Sequence, residues 1–84
     1  MRLSQKQKEQ VLAAALRHVT APSLVRIGDA WGVVGHDLDE PKTWTGLLVH
    51  GVDERDGTVW WTGSIYMQRR RSDVVAHLTA EASS

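Results

Sequence analysis

Hydrophobic positions recur along this chain with two different periods, and the change of period marks the elements. Over residues 5–19, Leu12, Ala15, Leu16 and Val19 recur at helical spacing, Val11 widens the stripe, and no glycine or proline interrupts. Ser4 followed by Gln7 has the form of a capping box, so the spacing predicts a helix that Thr20, Ala21 and Pro22 stop. Lys6 and Lys8 fall in its first turns, where the helix dipole disfavours cations by about 0.3–1 kcal/mol each.

From residue 44 to residue 67 the period becomes two. Residues 44–52 and 58–67 are rich in β-branched and aromatic side chains, and Asp56-Gly57 between them tolerates the positive φ of a hairpin turn. The pattern predicts one long antiparallel hairpin, with a loop of two or four residues. In either register Trp44, Leu48, His50, Val52, Val59, Trp61, Ile65 and Met67 share one face, read as the core, with His50 facing Trp61. Leu47, Val49, Trp60, Thr62, Ser64 and Tyr66 share the other. That second face is too apolar to stand in water. Its cover is the first strand curling the sheet into a small barrel, a second copy of the chain, or a ligand.

Gly28-Asp29 separates β-like runs at residues 24–27 and 30–34, which read either as two strands or as one strand bent by a bulge. Residues 35–43 make a polar, acidic loop. Beyond the hairpin, Ser72 as N-cap, Asp73 in the first turn and an apolar stripe of Val74, Val75 and Leu78 predict a short second helix. Residues 81–84 read as a frayed tail. The sum is a single α+β domain over residues 1–84: an N-terminal helix, a bent antiparallel meander of three or four strands, and a short C-terminal helix. Both helices are expected on the Trp44, Leu48, Trp61 and Ile65 face.

Composition narrows the chemistry. The chain has no cysteine, which excludes disulfide scaffolds and thiolate sites and favours a reducing compartment, the cytoplasm. No stretch approaches the roughly 20 apolar residues that span a bilayer, and the N-terminus lacks a secretory signal's apolar region, so no membrane is expected. Net charge is zero, against a protein held to nucleic acid by bulk charge. The distribution is uneven, with five basic groups and one acid in residues 1–26 and two basic and seven acidic groups in residues 27–57.

Arg69, Arg70 and Arg71 are the densest charge, just past a strand bearing Trp60, Trp61 and Tyr66. Guanidinium groups beside aromatic faces are what single-stranded nucleic acid binders use, although a basic run leaving a sheet also serves as a solvated connector. Asp37, Asp39 and Glu40 do not make a calcium loop, because Lys42 stands where the glycine belongs and Leu48 where the bidentate glutamate belongs. The four histidines lack zinc-pair spacing, and His36 beside Asp37 or Asp39 is the one pairing with a general base's residue types. No nucleophile elbow, phosphate loop or dinucleotide fingerprint occurs. No catalytic, metal or cofactor residue is assigned.

Residues 27–34, then 45–49 and 56–60, resemble the strand order of small barrels of the Src-homology or KOW type over about half the chain. That resemblance implies an adaptor for protein or nucleic acid, while the N-terminal helix and the acidic loop depart from the plain barrel. The functional expectation is a non-catalytic binding module. It works by protein contact or self-association, as a homodimer, through Leu47, Val49, Trp60 and Tyr66. The alternative is a nucleic-acid-binding regulator using Arg69, Arg70 and Arg71.

Overall fold

A computed structural model of the chain describes residues 2–62 and 66–83, with the backbone alone at residue 66. Two helices, α1 (Gln5–Ala15) and α2 (Arg71–Ala82), flank an antiparallel sheet of β1 (Val19–Ile27), β2 (Ala30–Asp37), β3 (Trp44–Asp53), β4 (Thr58–Trp61) and β5 (Tyr66–Gln68). The strand order is β1-β2-β3-β4, and β5 pairs with the first residues of β3. The α+β class holds, and the sheet stays open with no closure into a barrel.

Turn chemistry sets the meander. Gly28 takes φ 57° between Ile27 and Ala30, which are register partners, so the run over residues 24–34 is two strands joined by a two-residue turn. Asp53 pairs with Thr58 across a four-residue loop in which Gly57 takes φ 77°. Asp53 and Asp56 each accept a backbone N–H two residues on, at 3.0 Å. Asp37 accepts from both Asp39 and Glu40 at 2.9 Å, which makes the acidic loop a self-bonded turn.

The helices lie on opposite faces, and this corrects the expectation that both cover one side. Adjacent residues of the central strands point in opposite directions. Val33 and Val49 join Leu3, Val11, Ala15 and Val19 under α1, whereas Val34 and Leu48 join Ile27, Val74 and Leu78 under α2. One sheet therefore serves two thin cores, each buried valine or leucine contributing roughly 1.5–3 kcal/mol. The cover over Val49 is the first helix, not the first strand.

Helix ends moved too. The Ser4 capping box forms, with Gln7 N–H donating to Ser4 Oγ at 3.1 Å and Ser4 N–H to Gln7 Oε1 at 2.9 Å. The helix stops at Ala15, four residues early, because Val19 is claimed by β1 as the partner of Asp37. Lys8 offsets its poor dipole position by lying 5.1 Å over the Trp31 ring, with the Arg26 guanidinium 4.9 Å from the same ring. At α2 the N-cap is Arg70, not Ser72, and the helix runs through Ala82.

Candidate functional site

A bulge in β3 decides which side chains meet solvent. Val49 pairs with Trp61 but Gly51 with Trp60, so His50 is an extra residue and everything beyond it changes face. Val52, Val59 and Trp61 consequently join Val49 on the α1 side, and Trp60 points to the α2 side. The four residues read as one partner-binding face are thus not one face. Leu47 and Val49 are each 1% exposed, inside the chain's own fold, while Trp60 is 51% exposed. The side chain of Tyr66 and all of Ile65 and Ser64 lie outside the described residues.

His50 does not face Trp61 in the core. It is exposed at the bulge, and the histidine beside Trp61 is His18, edge-on with ring centroids 6.3 Å apart. No feature of the sequence pairs these two, because their meeting depends on α1 crossing the face that holds Trp61.

Trp60 is positioned by backbone. Its indole lies across Gly51, where a Cβ would stand 3.1 Å from Cε3 of the ring, so the absent side chain lets the ring lie on the strand. α2 spans β1, β2, β3 and β5. The strand beneath Trp60 is an edge, hydrogen-bonded to β3 and to no other strand among the described residues.

The two edges of the sheet differ. β1 is guarded by a bulge between Thr20 and Ser23, with Pro22 lacking a donor, Ala21 at φ 49°, and Arg26 exposed. Residues 58–62 read Thr-Val-Trp-Trp-Thr, with no charge and no proline. Of the devices that keep strand edges apart, β4 has neither charge nor proline, only its short length of four residues.

The chain matches no known family, no curated protein and no solved structure. Its function has to come from its own side chains.

Arg69, Arg70 and Arg71 are all exposed where β5 gives way to α2. Arg70 is held by Asp73, Nε to Oδ2 at 3.0 Å, while Arg69 and Arg71 have no ion pair with any described residue. His36 lies 4.1 Å from Trp44, ring to ring, and its Nδ1 is shielded from solvent without a hydrogen bond. Its neighbour Asp37 is occupied with the turn. Among the described residues, no group of three or more histidines and carboxylates is placed to hold a metal ion, and no helix is long and apolar enough to cross a membrane.

Proposed function

We propose that this chain is a non-catalytic, cytoplasmic interaction module that associates with a second copy of itself through β4, with Trp60 as the anchor. The observation that carries the reading is a half-exposed tryptophan on an edge strand that holds no charge and no proline. A two-fold axis beside β4 would pair the strand with its counterpart antiparallel, and no like charges would meet because residues 58–62 hold none. The two Trp60 rings would then be cross-strand neighbours on one face, a pairing worth about 0.5–1.5 kcal/mol beyond the area covered.

Sedimentation equilibrium from about 1 μM to about 1 mM, the range over which weak dimers assemble, tests it. Average mass should rise toward twice the monomer value, and Trp60→Asp should hold the monomer mass with an unchanged circular dichroism spectrum. A monomer throughout that range overturns the reading.

The free guanidinium groups of Arg69 and Arg71 favour a second reading, binding of single-stranded nucleic acid, though a zero net charge gives it no long-range electrostatic support. It requires an affinity for an oligothymidine that falls with salt and falls again in Arg69→Ala/Arg71→Ala. Absence of binding at low salt removes it.

A further inference from the structure

On the opposite side of the sheet from Trp60, the last turns of α1 and the β3–β4 loop stand apart and leave a cleft of about 530 Å³, within the range of small-molecule sites. Three features of its lining matter. Ala13, Ala14 and Gly57 contribute almost no side chain, which is why the cleft stays open between helix and loop. Trp61, half-buried with His18 edge-on to it, supplies an aromatic wall. Arg17 and Asp56 both line the cleft, yet neither has an oppositely charged partner among the described residues.

An unpaired guanidinium and an unpaired carboxylate in one cleft, too far apart to neutralise each other and flanking an indole, ask for a ligand that carries both complementary charges and a flat apolar body. We infer that this cleft binds a free aromatic amino acid, its carboxylate on Arg17, its ammonium on Asp56 and its ring against Trp61. Each charged contact alone would be weak at so exposed a position, whereas two held on one rigid ligand reinforce each other. Asp56 is already oriented for the task, because Oδ1 accepts the Thr58 backbone N–H at 3.0 Å and fixes the carboxylate plane. Gln10, in the same wall, donates from Nε2 to Glu54 O at 2.9 Å and ties α1 to the loop at one end of the cleft. The cleft shares β4 with the proposed association, since Thr58, Val59 and Trp61 line it, but it uses the face of that strand opposite Trp60.

Four ligands with one aromatic body separate the charge contributions: L-tryptophan, N-acetyl-L-tryptophan (anion), L-tryptophan amide (cation) and N-acetyl-L-tryptophan amide (neutral). Each is titrated into the ¹⁵N-labelled full chain to about 10 mM, high enough to see millimolar binding. L-tryptophan should shift the amides of Ala13, Ala14, Arg17, His18, Gly57 and Thr58, and bind about tenfold more tightly than either singly charged ligand. Arg17→Gln should make L-tryptophan and its amide bind alike. Asp56→Asn, which keeps an oxygen for the Thr58 N–H, should make L-tryptophan and its N-acetyl form bind alike. No shifts at those amides, or equal affinity for all four ligands on the unaltered chain, overturns the assignment whatever the variants do.

Discussion

Val74 packs its Cγ1 methyl over the bare α-carbon of Gly46, in the space a Cβ would need. The contact sets how closely α2 approaches the sheet. Leu78 fills the adjoining gap, its Cδ1 only 3.0 Å from a Cβ built on Gly46 and 2.9 Å from one built on Gly32. Gly46→Ala should therefore cost about 1–3 kcal/mol by overpacking, and Gly32→Ala less, because the end of a leucine can turn away. Urea midpoints measure both. Val74→Ala in the Gly46→Ala background should recover part of the loss, and strict additivity would show that the two do not compete for one space.

Leu47 and Trp60 should separate cleanly. Leu47 is sealed, so Leu47→Ala should lose about 2–5 kcal/mol of folding stability while leaving the concentration dependence of mass unchanged wherever the chain is folded. Trp60→Ala should do the reverse, moving folding stability by no more than about 1 kcal/mol at concentrations where the chain is monomeric, and weakening association. A Leu47 variant that folds normally yet fails to associate would return that residue to the interface.

The elements were legible in the sequence where local chemistry fixed them: Ser4 and Gln7 cap α1, Gly57 turns β3 into β4, and Asp73 sits in the first turn of α2, whereas Gly28 left a turn and a bulge both open. What failed was a count. A period of two assigns faces only while the ladder is unbroken, and His50 is an extra residue that reverses every face beyond it. His-Gly in a strand is the trace it leaves, since glycine in a strand marks bulges as well as close approaches. The placement of α1 was hidden for a different reason. With apolar residues on both faces of β2 and β3, periodicity tells that each face is covered but not by which helix. The candidate face dissolved with the count: Leu47 and Val49 went inward, and Trp60 stayed at the surface.

Gly28 tests backbone geometry free of packing. Its φ is 57°, and a Cβ there meets nothing within 4 Å, so a side chain is opposed by conformation alone. Gly28→Ala should cost about 1–2 kcal/mol, and Gly28→Asn distinctly less, because asparagine visits left-handed angles more readily. Equal losses in the two variants, read from thermal midpoints, would mean that the turn tolerates no side chain for another reason.

Asp56 gives a pH dependence with a definite sign. The Thr58 backbone N–H, and then the Thr58 hydroxyl, hold its carboxyl below the usual carboxylate value, because both bonds favour the charged form. A value lower in the folded than in the unfolded chain contributes stability that is complete above the unfolded value and fades as pH falls through the folded one. The group is fully exposed, so solvent screening keeps the effect small. Asp56→Asn keeps an acceptor for Thr58 but does not titrate. Thermal midpoints followed from neutrality into acid should therefore show the original chain losing stability relative to the variant, with the gap levelling off once the folded carboxyl is protonated. If the original chain gains on the variant as acid is added, the Thr58 bonds favour the neutral carboxyl, and the ionised Asp56 needed in the α1 cleft loses its support.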